Sequence, residues 1–569
     1  MALRIVVIGG VALGPKAACR AKRLNPEAEV ILVDQSDRIS YGGCGIPYYV
    51  SGEVGKVTEL QATPYGTIRD AEFFRTHKGV VALTGTRATA IDRAAKVVTI
   101  KTLATGEVAA LPYDKLVLAL GSMPFLPPIP GIGLEGISPA TNLDEAETIH
   151  KAVESGSVNN AVVVGGGFIG LEMAVAFGDM WGIPVSVVEL ADQVMPGFLS
   201  PALARMVAQD LEKNGAKVYT SEKVLEFKGE NGHVTEVVTD KRTIKADLVV
   251  MAAGIRPNTA IAREAGIEVT ERGLIKVDEQ MRTSDPDIYS GGDCVTIKHL
   301  VAGKDWWFPL GSMANRQGRV IGTNVTGGKA TFPGAVGAFG IKLFTQSAAG
   351  AGLTAVTAKA SGFDPLTVHI EQLDKAHFYP ERALMALEMC VDRATHRVLG
   401  IQGMSSNGDA LAARINAVTP LITQGATSED VSNLEVLYSP PFASAMDIVN
   451  VAGNVADNIL SGRFTPLSQA DFEALWAKRD SGEVFFLDSR VARDALPMLE
   501  AFPGVWHNIP QDEISERFAE VPKDKPVAVL CNTGLRAYEA LLNLKAAGFT
   551  NLCSLEGGVS SSKKLGVIE

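Results

Sequence analysis

The sequence has no Cys-x-x-Cys pair and no cluster of cysteines and histidines, although 569 residues hold 6 cysteines and 8 histidines. The cysteines, at 19, 44, 294, 390, 531 and 553, are scattered without pairwise spacing. That pattern excludes a disulfide framework and a metal site of zinc-finger type; no metal is expected. No uncharged apolar run approaches the ~20 residues of a membrane span, so no membrane partner is expected. Met1-Ala-Leu-Arg4 runs straight into an apolar strand at Ile5, leaving no room for a signal peptide, and the cytoplasm is the expected address. Excess positive charge is also missing: 53 basic residues face 64 acidic ones, a net charge of −11. Such a balance favours solubility and excludes nucleic acid as a bulk partner.

What is present is periodic. Short continuous apolar runs bounded by Gly or Asp read as buried parallel strands: Ile5–Ile8, Val30–Val33, Leu116–Leu120, Val162–Val164, Val185–Val188 and Leu248–Met251. Ala-rich helices are expected between several of them, at Pro15–Leu24 and Ile169–Met180. The alternation predicts a doubly wound α/β fold. From about Phe332 the texture changes to alternating segments such as Thr367–Glu371 and Ala383–Val391, which suits an α+β domain on an antiparallel sheet. A polar linker, Leu460–Pro466, precedes a second α/β pattern: helix Ser468–Arg479, strands Val484–Leu487 and Val527–Leu530, and helix Leu535–Ala547.

Two glycine motifs carry nucleotide chemistry. In Val6-Val-Ile-Gly9-Gly10-Val-Ala-Leu-Gly14 the glycines allow a tight strand-to-helix bend, and Asp34 closes the next strand, where an acid bonds a ribose hydroxyl. Val11 holds the position usual for the second glycine. The second motif, Val162-Val-Val-Gly165-Gly-Gly167-Phe-Ile-Gly170-Leu-Glu172, is complete, and Glu189 ends its next strand. A carboxylate there favours NADH by repelling the 2′-phosphate of NADPH. Leu116–Pro124 and Leu248–Pro257 look like crossings between paired nucleotide domains, and Ile288-Tyr-Ser-Gly-Gly-Asp293 like a flavin segment with Asp293 at the ribityl chain. Together these pieces resemble the two-dinucleotide flavoprotein disulfide reductases, which implies FAD in the first domain and NADH in the second.

Most such reductases use a Cys-x4-Cys pair, whereas here Cys44 stands alone in Ser40-Tyr-Gly-Gly43-Cys44-Gly45-Ile-Pro-Tyr48. A lone cysteine is ordinarily a small core residue, but this one follows the first nucleotide unit and lies between glycines that admit close backbone approach. The segment resembles the coenzyme A-disulfide reductase family over residues 1 to about 455. The resemblance implies a mixed disulfide between Cys44 and CoA, and CoA contacts at Lys16, Arg20, Arg23, Ser40 and His299; a solvated helix face is the plain alternative for the basic residues. It further implies a homodimer in which Tyr438, in Tyr438-Ser-Pro-Pro, reaches the partner's site with Tyr379 as a second such tyrosine. Gly43 replaces the family's asparagine, and Met446 a lysine that often meets CoA.

Near the C-terminus Cys531-Asn-Thr-Gly-Leu-Arg536 follows a strand and opens a helix. Loop amides, the helix N-terminus and Arg536 would lower the cysteine's pKa and stabilise an anionic persulfide. With Phe485-Phe-Leu-Asp-Ser-Arg490 and Asn508-Ile-Pro510, this resembles a rhodanese domain over residues 466–569, with a shortened, serine-rich tail after Gly557-Gly558. The remaining cysteines are expected in cores.

The expected organisation is an α/β chain in four parts. Residues 1–112 with 255–325 bind FAD, 113–254 bind NADH, 326–456 form an α+β dimerisation domain, and 466–569 form an α/β rhodanese domain. The expected activity is NADH-, FAD- and CoA-dependent reduction of persulfides and polysulfides, including CoA persulfide, to hydrosulfide. The catalytic residues would be Cys44, Cys531, Arg536, Tyr379 and Tyr438, and the cofactors would rest on Gly9, Gly10, Gly14, Asp34, Asp293, Gly165, Gly167, Gly170 and Glu189. Competing readings are a CoA-disulfide reductase or NADH oxidase with an accessory rhodanese, and a flavin redox sensor.

Overall fold

A computed structural model describes residues 2–568. The chain forms two compact units, one of residues up to 192 with 215–335, the other of 193–214 with everything from 336 on.

The first unit begins with strand β1 (Arg4–Ile8), helix α1 (Leu13–Leu24), β2 (Glu29–Val33), β3 (Val81–Leu83) and β4 (Lys115–Leu118). It continues with β5 (Ile137–Ser138), β6 (Ala161–Val164), α2 (Phe168–Val175), β7 (Val185–Val188), β8 (Lys217–Tyr219), β9 (Leu248–Met251), β10 (Ile288–Ser290) and helix α3 (Gly311–Asn324). These strands make two parallel sheets, ordered β10-β4-β1-β2-β3 and β8-β7-β6-β9-β5. β1 and β6 are the central strands, and Ile5, Val6, Val7, Val162 and Val163 are fully buried. Each such side chain contributes roughly 1.5–3 kcal/mol of burial, which is why uninterrupted apolar runs specify these positions.

Two expected elements end early. The strand at Leu116 stops at Leu118, because Gly121 turns the chain with φ +64°. The helix from Ile169 keeps α geometry only to Val175 and then widens into a π turn over Ala176–Met180, which contains Gly178.

In the second unit β11 (Phe339–Lys342), β12 (Ser347–Gly352), β13 (Pro365–Leu373), β14 (Leu384–Asp392) and β15 (Val398–Ser405) form an antiparallel sheet, ordered β11-β12-β15-β14-β13. Helices α4 (Gly408–Gln424) and α5 (Ile448–Leu460) pack on its strands. The last part comprises β16 (Pro466–Leu467), α6 (Gln469–Trp476), β17 (Phe485–Asp488), β18 (Trp506–Asn508), β19 (Val527–Leu530), α7 (Leu535–Ala546), β20 (Leu552–Leu555) and α8 (Gly558–Lys564). Its parallel sheet runs β16-β20-β19-β17-β18 around a core that includes Phe472, Phe486 and Trp506. Although it has its own sheet, this part belongs to the same compact unit as the antiparallel domain. No helix among the described residues is long and apolar enough to cross a membrane.

Of the cysteines expected in cores, Cys294 and Cys390 are buried, while Cys19 and Cys553 are half-buried at core edges.

Candidate functional sites

The two glycine turns are built by backbone contact. A Cβ on Gly14 would stand 1.8 Å from the Gly9 carbonyl oxygen, and one on Gly170 would stand 1.9 Å from that of Gly165. Gly9 and Gly165 adopt φ of +107° and +111°, in the region that favours glycine. Only glycine lets each helix start this close to its strand. Gly167, by contrast, opens onto free space at the N-terminus of α2, where a phosphate can approach the helix end. Asp34 accepts hydrogen bonds from the amides of Gly10 (2.6 Å) and Ser36 (2.7 Å), and Glu189 accepts from Gly166 (2.6 Å) and Ala191 (2.7 Å). Both acids therefore stand at the mouth of their turns, each bonded to an amide of its own glycine loop.

Ser40 ties the first turn to Cys44. Its amide donates to the Gly10 carbonyl at 2.7 Å, and it holds φ +55°, a strained conformation for a serine. Four residues on, Cys44 sits in a tight turn over Gly43–Gly45 that leads into the helix Ile46–Val50. A Cβ on Gly311, the first residue of α3, would lie 3.9 Å from the Cys44 sulfur, so this helix end borders the thiol. Desolvation raises the Cys44 pKa, and the negative charges of Glu172 and Asp293 raise it further. Glu172 is itself pushed up to about 7 by burial. Asp293 is raised by burial and receives a hydrogen bond from Ser122 at 3.1 Å.

Glu172 is a functional candidate that sequence reasoning passed over. Its signal was present, as a carboxyl two residues beyond the last glycine of a nucleotide motif.

Lys16, Arg20 and Arg23 fall at i, i+4 and i+7 on α1. Their helix packs on α3 through glycine notches: a Cβ at Gly318 or Gly322 would meet the Leu13 or Ala17 carbonyl at 2.8 and 2.5 Å. Arg20 donates to Thr323 at 3.2 Å, whereas Lys16 and Arg23 are exposed. His299 lies apart from an open surface. It is 1% exposed, its Nδ1 accepts from the amides of Val301 and Ala302, and Trp306 and Phe308 flank its ring. Burial lowers its pKa to about 4, so the ring is neutral at physiological pH.

In the second unit one buried guanidinium gathers the tyrosine segments. Arg414 donates to the Asp374 carbonyl (3.0 Å), the Phe442 carbonyl (3.1 Å) and Asp447 (2.7 Å). The loop of Tyr379 is thereby held beside that of Tyr438. Tyr438 is exposed and Tyr379 half-buried, with Lys375 against the Tyr379 ring. Phe378, Leu437, Phe442 and Met446 are exposed on the same two loops.

Cys531 directly follows β19 and is almost fully buried. The Gly534 amide donates to its sulfur at 3.1 Å, and Gly534 caps α7 with φ +108°. Arg536 is half-buried on the first turn of α7. Arg490, paired with buried Asp488 at 2.6 Å, also donates to the Asn532 side chain at 3.2 Å and so braces the loop from the neighbouring strand end.

Two nucleotide turns with a thiol beside them, an antiparallel domain and a cysteine loop on a parallel sheet define a pyridine-nucleotide redox enzyme with a sulfurtransferase-type domain. Residues 3–318 match the pyridine nucleotide-disulphide oxidoreductase family, 340–449 its dimerisation domain, and 471–564 the rhodanese-like domain. The chain belongs to the pyridine nucleotide-disulphide oxidoreductases and carries that family's dimerisation domain followed by a rhodanese-like domain. It is 39% identical to an NAD-dependent persulfide reductase from A. fulgidus, with 98% of this chain and 100% of that one covered and a TM-score of 0.93. An FAD-dependent pyridine nucleotide-disulphide oxidoreductase from Desulfovibrio vulgaris is 53% identical over 80% of this chain and all of its own, with a TM-score of 0.66. A CoA-dependent NAD(P)H sulfur oxidoreductase of Pyrococcus furiosus is 33% identical, with 79% of this chain and 98% of that protein covered.

The electrostatics at Cys44 are testable. Glu172 ionises near pH 7 and its charge then opposes the thiolate, so Glu172→Gln is expected to lower the Cys44 pKa. Iodoacetamide alkylation rates against pH, in a Cys531→Ser background, measure it. An unchanged profile would show that Glu172 does not act on the thiol.

Proposed function

We propose that this protein reduces persulfides and polysulfides to hydrosulfide with NADH, using FAD and CoA, with Cys531 collecting sulfane sulfur and Cys44 reducing it. The observation that carries this reading is the pairing of two single cysteines, one beside the nucleotide turns and one under a backbone amide at a loop's helix end.

In this reading residues 1–112 with 255–325 hold FAD through Gly9, Gly10, Gly14, Asp34 and Asp293, and residues 113–254 hold NADH through Gly165, Gly167, Gly170 and Glu189. Lys16, Arg20, Arg23 and Ser40 serve CoA, residues 326–456 form the dimerisation domain, and residues 466–569 form the rhodanese domain; His299, expected beside them, is too buried to touch it. The flavin and nicotinamide supply a two-electron path from NADH to a disulfide on Cys44. The Cys531 thiolate attacks a terminal sulfur of polysulfide, forming a Cys531 persulfide and a polysulfide one sulfur shorter. The Gly534 N–H and Arg536 stabilise the anion. A carrier thiol, RSH, takes the outer sulfur as RSSH and restores Cys531. Cys44 then attacks the inner sulfur, expelling hydrosulfide and leaving Cys44–S–S–R. Two electrons and a proton from NADH and solvent return the Cys44 thiolate and RSH, so NADH + H⁺ + RSSH gives NAD⁺, RSH and H₂S. Tyr379 and Tyr438 protonate or orient the leaving sulfur. The protein acts in the cytoplasm.

The division of labour predicts opposite losses. Cys44→Ser is expected to keep NADH-driven bleaching of the flavin but lose turnover with every sulfur substrate. Cys531→Ser is expected to keep reduction of disulfides and of CoA persulfide while losing most activity with polysulfide. Steady-state NADH consumption decides. Polysulfide turnover by Cys44→Ser would overturn the mechanism, and consumption that follows oxygen rather than sulfur would make the protein an NADH oxidase.

Glu189 sets cofactor choice. Its carboxylate repels a 2′-phosphate, so kcat/KM is expected to favour NADH over NADPH by roughly tenfold or more, a difference of about 1.4 kcal/mol. Equal values would refute that role.

The active form is a homodimer built on the exposed apolar residues of the tyrosine loops, Phe378, Leu437, Phe442 and Met446, with Tyr438 serving the partner's Cys44. Hybrids of Cys44→Ser and Tyr438→Phe subunits are expected to regain one intact site. Hybrids no more active than either parent, or sedimentation as a monomer, would end this assignment.

A further inference from the structure

The serine-rich tail after Gly557-Gly558 forms α8, and two of its three serines point inward. Ser561 and Ser562 are fully buried. Ser561 meets one strand of the dimerisation sheet at two residues: its hydroxyl lies 2.8 Å from His369 Nε2 and 2.8 Å from Glu371 Oε1, both on β13. His369 Nδ1 lies 3.0 Å from Glu388 Oε1 on β14, and Lys564 Nζ lies 3.1 Å from Glu371.

Proton bookkeeping orders this cluster. Ser561 has one hydroxyl proton, and the Glu371 carboxylate accepts it. The Ser561 oxygen must then accept from His369 Nε2–H, while Nδ1–H goes to Glu388, so both ring nitrogens donate and His369 is an imidazolium. Burial pushes His369 down, but the hydrogen bond to Glu388 and the charges of Glu388 and Glu371 outweigh it and hold the pKa above its ordinary value. Glu556 is pushed up to about 8 by burial and is mainly neutral at pH 7. His369 and Lys564 thus face Glu371 and Glu388, with Lys564 32% exposed and the other three buried. Ser561, His369 and Glu388 are at most 4% exposed and Ser561 gives its proton to Glu371, so this is no hydrolytic triad.

The other side of the same helix start touches the sulfur loop. A Cβ on Gly557 would come within 2.2 Å of Ser561 Oγ and 2.6 Å of the His369 ring. A Cβ on Gly558 would come within 2.4 Å of the Cys531 carbonyl and 2.3 Å of that of Asn532. The amides of Val559 and Ser560 donate to these carbonyls at 2.9 and 3.0 Å. Two adjacent glycines are therefore pressed between a buried histidine and the backbone of the cysteine loop.

We propose that the Ser561–His369–Glu388 chain positions the Cys531 loop: it seats α8 on the dimerisation sheet, and α8 in turn holds the backbone of Cys531 and Asn532 in place. His369 and Ser561 are positioning residues that touch no substrate. The dimerisation domain thereby takes part in sulfur transfer. The proposal rests on the reading of Cys531 as the sulfur carrier.

The test uses the full holoenzyme. Ser561→Ala removes a single hydroxyl and is expected to fold. Amide hydrogen exchange at Val559 and Ser560 is expected to accelerate roughly tenfold, since the loop's local opening becomes easier. The kcat for sulfur transfer from thiosulfate to cyanide is expected to fall roughly tenfold, with KM within about twofold and NADH-driven flavin bleaching unchanged. His369→Gln, which can still reach Ser561, is expected to retain more of the kcat than His369→Asn, which cannot. Wild-type exchange rates and kcat in Ser561→Ala, even with a lowered melting temperature, would reduce the chain to a structural contact and overturn the proposal. Cys531→Ser in the same assay separates the two readings: if it transfers sulfur as well as wild type, the carrier reading fails, while hydrogen exchange still decides whether the chain holds the loop.

Discussion

Everything in the first unit depends on how closely two carbonyl oxygens approach the helix that follows them. Because no side chain can stand on Gly14 or Gly170, α1 and α2 begin directly over the ends of β1 and β6. That contact fixes where Asp34 and Glu189 lie, since each carboxylate bonds an amide of its own turn. It also fixes Cys44. The Gly10 carbonyl takes the Ser40 amide, and the chain runs from that anchor into the turn that carries the thiol. The strain at Ser40 is sustained because the surrounding backbone leaves it no alternative.

In the second unit the same function falls to buried ions. Arg414 and Asp447 are 6% and 3% exposed, and the guanidinium also takes the carbonyls of Asp374 and Phe442. Removing one partner of such a pair costs about 3–5 kcal/mol because the other stays charged and buried. The loops of Tyr379 and Tyr438 are therefore positioned by one side chain that carries no chemistry itself. His369 plays the equivalent part for the cysteine loop, again by holding backbone at a distance from the reacting sulfur.

Local order was legible in the sequence, and long-range order was not. The glycine turns, their closing acids and the Cys531 loop announce themselves because each is a short segment whose backbone needs glycine at set positions. The antiparallel texture after Phe332 was readable for a similar reason, from alternation along single strands. Glu172 was visible as a letter but not as a neighbour of Cys44, because the two lie on segments 128 residues apart. Arg414, His369 and Glu388 were illegible altogether. Each is a charged residue whose burial is explained only by partners on other strands and helices, and a sequence pattern reads such a residue as solvent-facing. The serine-rich tail stands out in the sequence as a departure from a usual final helix, but its role follows from the contact of Ser561 with β13.

The two cysteines sit in different local surroundings. Cys531 accepts a hydrogen bond from a backbone amide, a setting that favours negative charge on sulfur and on a second sulfur attached to it. Cys44 faces two carboxyl groups and desolvation, which keep it protonated at rest. A thiol held in that form loses thiolate about tenfold for each unit its pKa rises, while the thiolate that remains gains only about half as steeply in nucleophilicity. Such a sulfur depends on a small thiolate fraction for every attack, on a disulfide as on a persulfide. It is best matched to a persulfide, whose attack expels hydrosulfide, an easier leaving group than an alkyl thiolate. On the proposed function, capturing sulfur and reducing it are separate steps, given to Cys531 and to Cys44 on separate folds.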